Sequence, residues 1–382
     1  MKKYLFPLFL PLLLTVSCRE EAEIFDPETE QVAPSESGDN GVRQKITGFY
    51  LLNEGNMGSN KSTLDYFNCL TNEYHRNIYA SANPSVPKEL GDVGNDLKIY
   101  GSKLYAVING SGKVEVMDRR TARRLGQINI PNCRCIRFHE GYAYVTSYAG
   151  EVRHDPEYEQ TGCVEKVDTA LLQVVDRCPT GFQPEELEIV EGKIYVANSG
   201  GYMAPDRESS VSVIDVATFT EIKRIEFAEN LHRLRADTHG NLWVSSRGNY
   251  RDVHAQLHWI DLQTEAWGGS IDIPVADFWL DGDSLYFCYA GSYMGTDNYV
   301  VFGIVDTVRK EVVTRNFITD GTDRRINIPY GIMVHPQTKD IYLTDANGYV
   351  SPGILYRFNR NGEQQWNTRT GDIPAHFALL WE

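Results

Sequence analysis

Positive charge is scarce in this chain. Lys and Arg total 37 against 52 Asp and Glu, a formal net charge of −15 over 382 residues. A nucleic-acid partner needs a basic face to neutralise phosphates, so that class is excluded. The carboxylate excess reads as solvation of the surface rather than as an acidic function. Enzyme motifs are scarce too. There is no Gly-x-Ser-x-Gly elbow, no His-Glu-x-x-His and no glycine-rich phosphate loop. Zinc-type cysteine spacing is missing, because Cys133-x-Cys135 has no second ligand pair at a suitable distance. What the chain does have is apolar bulk, 42% hydrophobic and 11% aromatic, enough for a sizeable core and too aromatic for a disordered protein. Its 32 Gly and 22 Tyr suit many short strands and tight turns.

The first residues read as a leader. Lys2 and Lys3 precede an apolar stretch over residues 4–14, which is too short to span a bilayer comfortably. Thr15-Val16-Ser17-Cys18 then resembles a bacterial lipobox, with Thr15 where Leu is usual. That resemblance implies a signal peptide over 1–17 and lipidation at Cys18; ordinary secretion with a chance cysteine is the alternative. Residues 18–44 are acidic, with Pro, Ser and Gly between the charges, and are expected to form an extended, flexible tether. The run Arg19-Glu20-Glu21-Ala22-Glu23 resembles the export signal of surface-exposed outer-membrane lipoproteins.

Six cysteines remain after Cys18. Cys163 and Cys178 flank a predicted hairpin centred on Ala170-Leu171, whose register sets them opposite one another. In an oxidising compartment they are expected either to form a disulfide or to pack as two small buried hydrophobes.

Internal repetition decides the fold class. An aromatic residue marks one strand of each repeat: Tyr50, Tyr105, Tyr144, Tyr195, Trp243, Tyr286 and Tyr342. A short apolar strand precedes each marker but the first, and Gly or Asp usually makes the turn between them. A third strand ends near an Asp, as at Asp118, Asp168, Asp215, Asp261 and Asp306, and a fourth follows. Four antiparallel strands repeated seven times predict an all-β, seven-bladed β-propeller. The first blade lacks its first strand, and the chain ends with a spare one over 373–380, which matches 328–334. The C-terminus is therefore expected to supply the inner strand of blade one and close the ring, making 45–382 one domain. The fourth repeat, with Ile194-Tyr195-Val196-Ala197-Asn198 and Ser210-Val211-Ser212-Val213-Ile214-Asp215, resembles the YVTN repeat of bacterial surface propellers. That likeness speaks to fold and little to function.

Function should sit on the face formed by the loops between second and third strands, most of them longer than a hairpin needs. These loops carry Asn53, Asn109, Tyr148, Tyr158, Tyr202, Met203, Arg207, Arg247, Tyr250, Tyr289, Tyr293 and Tyr349. The connections between blades add Asn95, Arg134, Glu185, His232, Arg233, Asp277, Tyr330 and His376 around the channel mouth. Aromatic rings and amides on one face suit a large, polar, partly flat ligand, whereas each residue taken alone also suits turn chemistry. The opposite face, with its tight turns, is expected to hold no site. Glu54, Asp96, Asn198 and Asp345 are considered as a cation cage or, alternatively, as strand-end caps.

A lipid-tethered acidic propeller with such a loop face resembles the BtuG-type cobalamin-capture lipoproteins. What that resemblance implies is a corrinoid ligand, no further cofactor, no catalysis, and an outer-membrane TonB-dependent transporter as partner of a monomeric propeller. Two other readings stand beside it: a protein-interaction or surface-layer scaffold, and a hydrolase or lyase acting on a glycan or lactone.

Overall fold

A computed structural model of the chain describes residues 26–34, 45–151, 160–203 and 208–382. The stretch 1–17 read as a signal peptide, Cys18, Tyr158 and Arg207 lie outside the described residues. Seven antiparallel sheets stand around one axis. Blade two shows the plan: Gly94–Tyr100 is innermost, followed outward by Lys103–Ile108, Lys113–Asp118 and Arg124–Asn129. Inner strands of neighbouring blades pack on one another to line the channel. Blade one is completed by Pro374–Trp381, which pairs antiparallel with Ile46–Asn53. The expected closure by the C-terminal strand is what the structure shows.

The marker aromatics explain themselves here. Tyr50, Tyr105, Tyr144, Tyr195, Trp243 and Tyr342 are buried between blades, and Tyr286 is half-buried. Seven apolar clusters fill the seven clefts between blades. Because every sheet packs on both faces, its middle strands carry near-continuous apolar runs such as Val211, Val213 and Ile214. Where blades approach closest, glycine is required. A Cβ on Gly162 would lie 2.1 Å from Pro184 Cδ, and one on Gly353 would lie 2.3 Å from Pro374 Cδ, at the start of the next inner strand.

The recurring Asp has a local cause. Its carboxylate accepts backbone N–H groups of the turn that follows: Arg120 and Thr121 at Asp118, Ala170 and Leu171 at Asp168, Val308 and Arg309 at Asp306. Four residues on, Ala122, Leu172, Phe219 and Lys310 take positive φ and donate back to the Asp carbonyl. This is a side-chain-capped turn that any of several residues can finish, so only its first position is written plainly in the sequence.

Two expectations are corrected. Residues 28–31, within the stretch read as a flexible tether, form a strand on the outer edge of blade one, paired with Glu73–Arg76. Arg76 holds it through ion pairs to Glu28 (2.6 Å) and Glu30. Further, Cys163 stands opposite Pro179 and Cys178 opposite Val164, a register one residue away from the expected pairing. Adjacent register positions point to opposite sheet faces, so the sulfurs are separated by the sheet and both cysteines are free. The cause is a β-bulge. Val167 pairs with Val174 but Lys166 with Asp176, which leaves Val175 unpaired. The same shift occurs in the outer hairpins of blades two, four, five and six, where the sheet twists most.

Candidate functional site

Two tiers of polar side chains line the channel. The upper tier sits where inner strands begin, on the long-loop face. Arg134 of blade three forks onto Glu185 of blade four, Nη2 to Oε2 at 2.9 Å and Nε to Oε2 at 3.1 Å. Asn95 Oδ1 accepts from Arg134 Nη1 at 3.1 Å. The Tyr148 hydroxyl donates to Glu185 Oε1 at 2.6 Å, and the Arg134 guanidinium lies 4.9 Å from the Tyr148 ring centre. Arg247 approaches the same carboxylate at 3.7 Å. Burial would raise the Glu185 carboxyl, but Arg134 and Arg247 outweigh it and hold it below its ordinary range. His232 is buried and faces Arg247, Arg233 and Arg134, so burial first and these cations second push it well below its ordinary value and keep it neutral. Its Nδ1 has no hydrogen-bond partner.

Across the mouth, Glu54 joins blades seven and one. The Tyr330 hydroxyl donates to Glu54 Oε2 at 2.9 Å, and His376 Nε2 lies 2.9 Å from Oε1. Tyr349 meets Tyr330 edge to face at 5.9 Å between ring centres. Tyr289 is half-buried, and its hydroxyl is pushed up by burial and then by Tyr250 and Tyr349, which stand near enough to act on it. Tyr250 is 69% exposed and Tyr349 41% exposed, both at positive φ. Tyr250 of blade five and Tyr349 of blade seven therefore stand within electrostatic reach of Tyr289 of blade six on the long-loop face.

The lower tier is one residue deeper, and it ties the blades together. Asp96, Glu186 and Asp277 come from blades two, four and six. Each accepts the backbone N–H of the next blade: Ile136 at 3.0 Å, Leu234 at 2.9 Å and Ile332 at 3.3 Å. Arg137 bridges Asp96 (3.2 Å) and Glu186 (2.7 Å), and Arg235 bridges Glu186 (3.5 Å) and Asp277 (3.0 Å). Burial would raise Glu186, yet Arg235 and Arg137 hold it at about 2. Asp96 behaves likewise, with Lys98 and Arg137 as its cations. Asp277, expected at the mouth, thus belongs to the deeper tier.

Of the residues expected on the ligand face, the structure gathers Asn95, Tyr148, Arg247, Tyr250, Tyr289, Tyr330, Tyr349 and His376 around the mouth, whereas Arg233 lies in the deeper tier, its Nε 3.3 Å from Asp277. Others it spends on the fold. Buried Asn53 donates to Thr63 Oγ1 at 3.0 Å. Asn109 donates to the Cys133 carbonyl at 3.0 Å, joining two blades. Tyr293 is buried, packing on Tyr299 and edge to face on Tyr289 at 6.5 Å, and donates to Asp272 at 2.9 Å. Tyr202 and Met203 lie on the blade-four loop, Tyr202 43% exposed with its N–H on Gln183. The four candidates for a cation cage are separately committed: Glu54 and Asp96 as above, Asn198 to Ser210 and Ser212, and Asp345 to the N–H groups of Asn327, Ile328 and Asn347. No group of three or more His, Cys, Asp or Glu fit for a metal ion occurs among the described residues. The residues that sequence reasoning missed are the deeper ones, Arg137, Glu186 and Arg235. Their signal was a charged residue at alternate positions of an otherwise apolar inner strand.

A buried hydroxyl–imidazole pair lies away from the channel. Ser246 Oγ lies 3.0 Å from His258 Nε2. Both residues are buried, His258 Nδ1 has no partner to orient it, and burial lowers the imidazole to about 4, a weak base.

Comparison with known proteins agrees with the architecture. The family model described as "Domain of unknown function (DUF5074)" matches residues 47–371. No curated protein matches. A hypothetical selenium-binding protein from Sulfolobus tokodaii superposes with a TM-score of 0.63 at 10% identity, over 87% of this chain and 93% of that one. Hydrazine synthase from Kuenenia stuttgartiensis gives 0.58 at 15% identity, over 70% and 77%. BamB from Moraxella catarrhalis gives 0.51 at 12% identity, over 91% of each chain. At such identities the likeness is one of fold alone.

Proposed function

The chain belongs to the DUF5074 family, and we propose that it is a ligand-binding propeller: a lipid-anchored protein of the cell surface that captures a large polar small molecule, cobalamin first, and passes it to an outer-membrane TonB-dependent transporter. The observation that carries the binding reading is the exposure of Tyr250 and Tyr349 on one face, Tyr349 packed edge to face on Tyr330, beside the charged rim of Glu54, Arg134, Glu185 and Arg247. Exposed tyrosines offer flat faces at little entropic cost, and the rim offers both acceptors and donors. Cobalamin presents a flat ring fringed with amides and one phosphate, which such a surface complements. Anchoring at Cys18 and delivery to a transporter rest on the lipobox and on the resemblance to BtuG-type proteins.

Binding is favoured over catalysis because the buried carboxylates of the mouth are already paired with cations or hydroxyls. The test is isothermal titration of the full chain in detergent with cyanocobalamin. Saturable binding is expected, weakened about tenfold or more by Tyr250→Ala combined with Tyr349→Ala. No saturation at micromolar ligand sinks the corrinoid reading. Binding untouched by the double variant removes the mouth as its site.

A further inference from the structure

We propose that the other end of the channel, on the tight-turn face, is a second binding site, built for a small organic carboxylate with an apolar tail. A cavity of about 470 Å³ opens there. That is within the usual range for small-molecule sites, about 300–1,000 Å³. Its walls run down the inner strands from His376 and Asp96, beneath the tyrosine mouth, to Lys98, Trp279, Leu280 and Trp381 at the far ends. These positions lead into the first-to-second-strand turns, so this opening and the tyrosine mouth lie at opposite ends of the axis.

Charge and hydrogen bonding both ask for an anion. The lining carboxylates are Asp96, Glu186, Glu188 and Asp277. Against them stand Lys98, Arg119, Arg137, Arg233 and Arg235, one cation more. Every one of the four acids has a cation within ion-pair distance. The cations are not all satisfied in return. Arg233 is 8% exposed, and its Nε, 3.3 Å from Asp277, makes no hydrogen bond. Arg235 Nη1 is buried without a partner as well. A buried guanidinium with spare N–H groups is costly unless an acceptor arrives, and a carboxylate is the acceptor its fork fits. Towards the rim the walls turn apolar. Trp279 and Leu280 are half-buried, and Trp381 is 37% exposed at the opening. A carboxylate placed at Arg233 and Arg235 would lay its tail along these residues.

The probe is hexanoate, with hexanamide as its uncharged isostere and inorganic phosphate as a tailless anion, titrated into the full chain by calorimetry and tryptophan fluorescence. Saturable hexanoate binding is expected, with hexanamide about tenfold or more weaker and phosphate not competing. Arg235→Gln should lower hexanoate affinity about tenfold. Since that change also disturbs Glu186 and Asp277, Leu280→Trp is the second variant. It fills the cavity without removing an ion pair and should abolish binding while the protein still unfolds cooperatively, although Leu280 also packs on the cleft between blades five and six. Cyanocobalamin titration should be unchanged by Leu280→Trp, which separates the two ends of the channel. Absence of saturation, equal binding of hexanamide, equal competition by phosphate, or binding that survives both variants would each overturn the site.

Discussion

Glu186→Gln tests whether the deeper tier holds the ring together. The carboxylate accepts from Arg137 Nη2 at 2.7 Å and the Leu234 N–H at 2.9 Å, and lies 3.5 Å from Arg235, so it joins blades three, four and five. It is 2% exposed, and its pairing lowers it from an ordinary 4.5 to about 2. A gap of about 2.5 on the pH scale, at about 1.4 kcal/mol each, makes the ionised pairing worth about 3 kcal/mol at neutral pH. Removing one member of a buried ion cluster costs about 3–5 kcal/mol by mutation, which agrees. The sign follows from the depressed value. The contribution is complete above 4.5 and drains away as pH falls towards 2. At pH 3 less than half of it remains, so the difference between wild type and variant should narrow by about 2 kcal/mol. Urea unfolding of both proteins, followed by tryptophan fluorescence at pH 7 and pH 3, measures this directly. Glu188→Gln is the control, because Glu188 is more exposed and stands 3.6 Å from Arg137; it should cost about 1 kcal/mol or less. A Glu186→Gln cost below about 1 kcal/mol at pH 7, or a difference independent of pH, would refute the assignment.

Three further outcomes are expected. His258, held at about 4 by burial, favours the folded state fully above its ordinary 6.5 and progressively less as pH falls. Wild type should therefore lose about 2 kcal/mol through this residue between pH 7 and pH 5, and His258→Gln should blunt that loss in a pH series of thermal melts. Truncation after Asp372 removes the closing strand and uncovers Ile46–Asn53; gel filtration and circular dichroism should then report no compact cooperative unit. Dithiothreitol should leave the melting temperature unchanged, because Cys163 and Cys178 sit on opposite faces of their sheet. A drop on reduction would contradict the bulge at Val175.

How much of this was legible in the sequence depends on range. Blade number and ring closure were, because each blade repeats a buried aromatic at one position and an Asp-capped turn at another, and both are local demands. Loop convergence was legible only as a list. That Tyr349 packs on Tyr330 while Tyr289 packs on a Tyr293 tied to Asp272 depends on loop paths that no periodicity encodes. The Cys163–Cys178 register failed by one residue because a bulge leaves no compositional mark: Val174 and Val175 look alike in the chain. Strand Glu28–Gln31 was hidden for a different reason. It is polar and short, and its partner, Arg76, lies far along the chain. Ion pairs between blades were hidden likewise, since each spans about one blade of sequence, as Arg137 and Glu186 do.

Blade one is made of three pieces of chain: residues 28–31 at its outer edge, 46–76 in the middle and 374–381 at the axis. The first blade to be synthesised is thus the last that can be finished. Until Trp381 has left the ribosome, and the export machinery if the leader is used, Ile46–Asn53 has no inner neighbour and the cleft between blades seven and one lacks Phe377 and Leu379. Any partly delivered chain is an open arc, whose parts can still slide past one another. Arrival of the last eight residues converts that arc into a ring in one step. The same step carries His376 up to Glu54 at the mouth and Trp381 to the rim of the other opening, so the channel is walled on every side only once the chain is complete.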